Sequence, residues 1–167
     1  PLESETSSAM KVIGVDPGLA DTGVGIVWGQ GMHVDGYAFG SITTSQTQPQ
    51  ARRLERIYTQ LHDILRREMP DQMIVEDVFS LEKFPQSGIM LGKVSGVILL
   101  AGCHVGVAVK EIPVREAKQV LTGNGNASKR QLEKAVRHTL KHDQRIRPDH
   151  ASDALGLALI GLYRHTL

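Results

Sequence analysis

At 167 residues, 41% of them apolar, the chain is sized for a single domain with a full hydrophobic core. A net charge of +1 excludes a strongly polycationic or polyanionic protein, and no apolar run approaches the roughly eighteen residues that span a membrane. The one cysteine, Cys103, cannot form an internal disulfide, which fits a reducing cytoplasm; within the apolar stretch beginning at Val97 it reads as a buried structural thiol. Residues Pro1 to Met10 are polar and acidic, without the basic-then-apolar order of a secretory signal. They read as a disordered leader or expression remnant, and residues 11–167 as one domain.

In chain order, Lys11 to Asp16 is a nearly continuous apolar strand of the kind buried on both faces. Thr22 to Trp28 and Met32 to Ile42 follow as two more strands across a Gly29-Gln30-Gly31 turn, predicting an antiparallel meander. Leu54, Ile57, Tyr58, Leu61, Ile64 and Leu65 recur at helical spacing, and Pro70-Asp71 ends that helix. Gln72 to Glu76 is the fourth strand. Phe79 to Gly88 lacks periodicity and reads as a loop, and residues 89–104 as a helix rich in small residues. Val105 to Ile112 is the fifth strand, followed by a short helix from Pro113 to Leu121 and a Gly-Asn turn at 122–126. Ser128 to Leu140 is a basic amphipathic helix, and the last helix runs from Asp149 to about His165. Strand and helix order together predict an α/β fold: a ribonuclease H-like five-stranded mixed sheet flanked by helices on both faces.

Three acidic clusters stand at element ends. Asp16 runs directly into Pro17-Gly18, Glu76-Asp77 closes the fourth strand, and Asp149-His150-Ala151-Ser152-Asp153 opens the last helix. His150 and Asp153 are three residues apart and share a helix face. Each has an ordinary structural reading: Asp16 as a turn residue, Asp149 as an N-cap, Asp153 as a first-turn acid near the helix dipole. Converged, however, such groups repel one another unless a cation neutralises them. With Mg²⁺ or Mn²⁺ bound, they form a template for phosphodiester hydrolysis. From Arg115 to Arg147 there are nine basic residues against three acids, a local charge asymmetry of phosphate-binding type.

Gly14-Val15-Asp16-Pro17-Gly18 with Thr22-Gly23, Glu76-Asp77-Val78-Phe79, Lys118-Gln119, the Gly123-Asn124-Gly125 turn before Lys129, and His150-Ala151-Ser152-Asp153 together resemble the RuvC-type Holliday junction resolvases. The resemblance runs from Lys11 to the C-terminus. It implies that Asp16, Glu76, His150 and Asp153 hold two divalent ions, Mg²⁺ or Mn²⁺, and that Lys118 and Lys129 approach the scissile phosphate. It gives Phe79 the role of stacking on an unpaired base, and adds Arg115 and Arg130 to the DNA-binding set. Many members carry aspartate where His150 stands; His150 keeps the spacing to Asp153, and Asp149 is the alternative. The implied activity is paired symmetric nicking of four-way DNA junctions, leaving 5′-phosphate and 3′-hydroxyl ends. The implied partners are junction DNA, a second copy of the chain packed through the 89–104 helix, and a branch-migration helicase complex of the RuvA and RuvB type. A ribosomal-RNA-processing nuclease of the same fold, a sugar-kinase-like ATPase and a non-catalytic junction binder are the competing readings.

Overall fold

Residues 9–77 and 85–164 are described by a computed structural model. β1 (Met10–Asp16) is the middle strand of the sheet, with Val12, Ile13 and Val15 fully buried. It pairs antiparallel with β2 (Asp21–Gln30), which pairs antiparallel with β3 (His33–Thr43). On its other side β1 pairs parallel with β4 (Gln72–Glu76), which pairs parallel with β5 (Ala108–Ile112). The order is β3-β2-β1-β4-β5, the mixed five-stranded sheet expected from the sequence.

Alternation of side chains along each strand divides the interior into two cores. Ile13, Val15, Met73 and Val75 face α1 (Gln50–Glu68) and α2 (Pro85–Val105), meeting Ile57, Leu61, Val94 and Ile98. Val12 and Ile74 face the opposite side, where α5 (Asp149–Arg164) lies with α3 (Val114–Thr122) and α4 (Lys129–Thr139) around it. Ser128 caps α4: its hydroxyl accepts the Gln131 N–H at 3.2 Å while the Gln131 side chain accepts the Ser128 N–H at 2.8 Å.

Five expectations need correction. β1 already includes Met10, assigned above to the leader. α2 starts at Pro85 rather than residue 89, so residues 85–88 are helical; proline suits a first helical position, where no N–H is needed. β5 is shorter than expected, because Gly106 turns the chain at φ +79° before Ala108. Cys103 is exposed, since α2 is apolar on both faces and packs with only one. For the same reason the stretch Gln86–Val105, with a mean hydropathy of 1.6, is long and apolar enough to cross a membrane by length and composition, contrary to the expectation above. Here it lies against α1 and the sheet through Val94, Ile98 and Ala101, leaving Ile89 and Leu100 64% and 46% exposed.

Candidate active site

Strand parity brings the first two acids together. Val12, Gly14 and Asp16 point to one face of β1, as Ile74 and Glu76 do on β4. The parallel register pairs Val15 with Val75, so Asp16 and Glu76 end neighbouring strands on the α5 side of the sheet.

Glycines let α5 deliver the other two groups. A Cβ at Gly14 would fall 1.9 Å from the Ala154 carbonyl oxygen, and one at Gly23 would fall 2.1 Å from that of His150. Neither is sterically possible, so α5 sits directly on the sheet backbone only because both positions lack a side chain. Gly23 is the register partner of Asp16. The missing Cβ therefore seats the first turn of α5 beside the end of β1. The neighbouring turn is tied down by Thr22, whose buried hydroxyl donates to the Gly18 carbonyl at 2.7 Å.

The result is a cleft of about 270 Å³ lined by Asp16, Glu76, Lys118, Lys129, His150 and Asp153, with Leu91 and Val114 as apolar walls. His150 Nδ1 lies 2.7 Å from Asp16 Oδ2, and Lys129 Nζ lies 3.8 Å from Asp153 Oδ2. Burial, a hydrogen bond with Asp16 and the charges of Asp16 and Asp153 push the Glu76 carboxyl up to about 9. Burial and the Asp16 charge push Asp153 up to about 6, against the opposing pull of Lys129, His150 and Lys118. His150 is raised from its ordinary value, mainly by its hydrogen bond to Asp16.

The remaining positions expected from the sequence divide. Arg115 is exposed on α3, its stem across Gly125, outside the cleft. Arg130 is exposed on α4 beside a small crevice it shares with Lys129, Arg145 and Asp149. Asp149 begins α5 and pairs with Arg145 at 3.4 Å on the surface, so His150, not Asp149, faces the cleft. Phe79 lies outside the described residues. Gly14, Thr22 and Gly23 entered the sequence reading as parts of the family motif, not as the seat of α5; the signal for that role was glycine within otherwise β-branched strands, Gly14 on β1 and Gly23 and Gly25 on β2.

The family model for the crossover junction endodeoxyribonuclease RuvC matches residues 12–161. The chain belongs to the RuvC family. It is 38% identical to the RuvC of Prosthecochloris aestuarii over 153 residues, covering 92% of this chain and 81% of that one. It is 37% identical to that of Citrifermentans bemidjiense over 153 residues, covering 90% of each. A solved structure of Thermus thermophilus RuvC in complex with Holliday junction substrate superposes with a TM-score of 0.86 at 30% identity, over 93% of this chain and 94% of that one. The yeast mitochondrial Holliday junction resolvase Ydc2, at 11% identity and a TM-score of 0.59, shares the fold.

RuvC nucleases are metal-dependent, and the chemistry of this donor set fits a divalent cation. Three carboxyl groups and an imidazole converge, with the Glu76 and Asp153 carboxyls pushed up by burial and by the Asp16 charge, which is the condition a hard cation relieves. As they stand, no three His, Cys, Asp or Glu side chains among the described residues surround one point. Asp16 instead takes up the His150 ring and the Glu76 carboxyl, contacts that ion binding would exchange.

Proposed function

We propose that this chain is a Holliday junction resolvase: a homodimeric, metal-dependent endonuclease that nicks four-way DNA junctions symmetrically and leaves 5′-phosphate and 3′-hydroxyl ends. The observation that carries this reading is the meeting of Asp16, Glu76, His150 and Asp153 with Lys118 and Lys129 in one cleft. The four acid and imidazole groups would hold two ions, Mg²⁺ or Mn²⁺. Bound there, the ions would supply a water of lowered pKa and neutralise charge on the phosphate. Asp16 and Glu76 orient the site rigidly, since each is anchored by a sheet register rather than a loop. Lys118 and Lys129, from two different helices, offset charge building on the non-bridging oxygens. Arg115 and Arg130 contact backbone phosphates beyond the cleft, and Phe79 stacks on an unpaired base at the crossover.

A four-way junction needs two cuts, and one domain carries one such site, which calls for a two-fold pair. α2 supports that pairing. Gly88, Gly92 and Gly96 lie one turn apart on it, with nothing within 4 Å of where a Cβ would be, next to the exposed Ile89. Such a strip admits a second helix at close range. A helicase complex of the RuvA and RuvB type is the proposed partner and the cytoplasm the proposed compartment, which suits the exposed, unpaired Cys103.

Incubation with Mn²⁺ and a mobile four-way junction, a matched duplex and an RNA–DNA hybrid tests the reading. Paired symmetric nicks confined to the junction are expected. Cleavage of the hybrid, or of structured ribosomal RNA in preference to the junction, would reassign the substrate, and binding without cleavage under any divalent ion would make the chain a junction scaffold.

A further inference from the structure

The positive charge does not stop at the cleft. Arg130, Lys134 and His138 follow one another at spacings of four, the interval that lines residues up along one side of a helix, and Lys141 stands just past the helix end. All four are exposed, while Leu132, Val136 and Leu140 turn the opposite side of α4 into the core. The only acid within α4, Glu133, is buried beneath the stripe. Its Oε1 accepts the Ile146 N–H at 3.1 Å and lies 3.2 Å from Arg137 Nε, so Glu133 neutralises Arg137 and leaves the exposed cations uncompensated. Among the described residues, Arg130, Lys134 and Lys141 have no acidic side chain in ion-pair range.

Two further features concern the far end. A groove of about 400 Å³ opens there, lined by Lys134, Arg137, His138, Lys141, His142 and Asp143. Its floor is fixed to the sheet: Tyr37 Oη and His142 Nδ1 are 2.7 Å apart, and the His142 ring meets Phe39 edge-on. Lys141 follows the α4 C-cap in the left-handed region, at φ +53°. Glycine is the usual residue there because it adopts that conformation without steric cost. A lysine held in glycine's place gains nothing for the backbone, so its value lies in its side chain.

We infer that the exposed face of α4, from Arg130 through Lys134 and His138 to Lys141, is a track for the sugar-phosphate backbone of a junction arm, carrying the DNA away from the cleft. The inference rests on the proposed resolvase function. Two features favour a duplex arm over a small anion. The stripe is continuous with the reaction site, because Arg130 adjoins Lys129 at Asp153. It is also about 16 Å long, roughly five phosphate steps of one strand, where a lone phosphate would need only one end. The role assigned to the stripe is contact with phosphates, which positions the arm without reading its sequence.

Fluorescence anisotropy in chelator, over a salt series, tests this with Lys134→Gln/Lys141→Gly. The junctions carry arms of about 15 bp, or of about 4 bp closed by hairpin loops so that they end short of Lys141. On long arms the slope of log Kd against log salt should flatten by about 1.8, roughly 0.9 per lost phosphate contact. On short arms, which still pass Lys134 but end before Lys141, the slope should flatten by only about 0.9. Lys141→Gly alone should melt a few degrees higher while binding long arms less tightly, opposite signs that a merely structural lysine would not produce. An unchanged slope on long arms, or equal loss on both junctions, overturns the track while leaving the resolvase reading intact. An unsubstituted protein that binds duplex as tightly as junction overturns the resolvase reading, and the track with it.

Discussion

His150 Nδ1 stands 2.7 Å from Asp16 Oδ2, joining the first turn of α5 to the end of β1 across 134 positions of sequence. The contact makes His150 both a partner of the central carboxylate and, among the described residues lining the cleft, the one imidazole beside its carboxylates. Imidazole accepts Mn²⁺ more readily than Mg²⁺, which prefers oxygen. Mn²⁺ should therefore support cleavage at least as well as Mg²⁺. His150→Asp should lower the Mn²⁺-to-Mg²⁺ ratio of single-turnover rates by about 3–10-fold. A clear Mg²⁺ preference in the unsubstituted protein would remove His150 from the ligand set.

The acids give a pH dependence of stability. The folded protein holds Glu76 near 9 and Asp153 near 6, above their ordinary 4.5 and 3.8. Raised folded values mean that the folded chain binds more protons than the unfolded one, so stability falls as pH rises. The loss spans 3.8 to 6 for Asp153 and 4.5 to 9 for Glu76. In chelator, melting temperature should therefore decline over that range. Glu76→Gln should raise it by about 2–4 °C at about pH 8, while abolishing cleavage. Added Mn²⁺ should stabilise the unsubstituted protein more at about pH 8 than at about pH 5, because ion binding displaces those protons.

Gly23→Ala tests how the helix is seated. The new methyl must move the His150 backbone or the strand, since it would lie 2.1 Å from the His150 carbonyl oxygen. A loss of about 1–3 kcal/mol in denaturant unfolding is expected, together with weaker Mn²⁺ stabilisation. Stability and ion response both at the unsubstituted level would contradict the seating argument.

Much of the site was legible because its chemistry lies where strand patterns end. The run into Asp16 and the run into Glu76 each reveal a carboxylate delivered by a buried strand, and the order of elements makes those strands neighbours. What sequence pattern conceals is contact made through missing atoms. Gly23 looks like an ordinary turn-proximal glycine until the His150 carbonyl is seen lying against it. α2 defeated the pattern differently. Its small and apolar residues surround the whole helix, so no period separates the packed side from the open one, and Cys103 was assigned to the wrong side. Glu133, counted as one acid in the basic stretch, is buried, because besides Arg137 one turn along α4 it accepts the Ile146 N–H from the connection to α5, which pattern cannot fold.

The open side of α2 predicts assembly. A Cβ at Gly92 meets no atom within 4 Å in the single chain, and leucine favours a helix more than glycine, so Gly92→Leu should not destabilise the monomer. In a pair packed through this strip the same leucine should clash. Sedimentation at micromolar concentration should show a dimer for the unsubstituted protein and a monomer for Gly92→Leu, with paired nicks replaced by single ones. A dimer that survives the substitution would move the interface elsewhere.

Asp153→Asn, compared with the unsubstituted protein for binding and for cleavage of one mobile four-way junction in Mn²⁺, addresses the cleft most directly. Asp153 is buried beside Lys129, beneath the exposed start of the arm track, so its charge should serve the reaction rather than the grip on DNA. Junction affinity should stay within about twofold while cleavage falls at least about 100-fold. Cleavage near the unsubstituted rate would show that the cleft formed by Asp16, Glu76, His150 and Asp153 is not where the strand is cut.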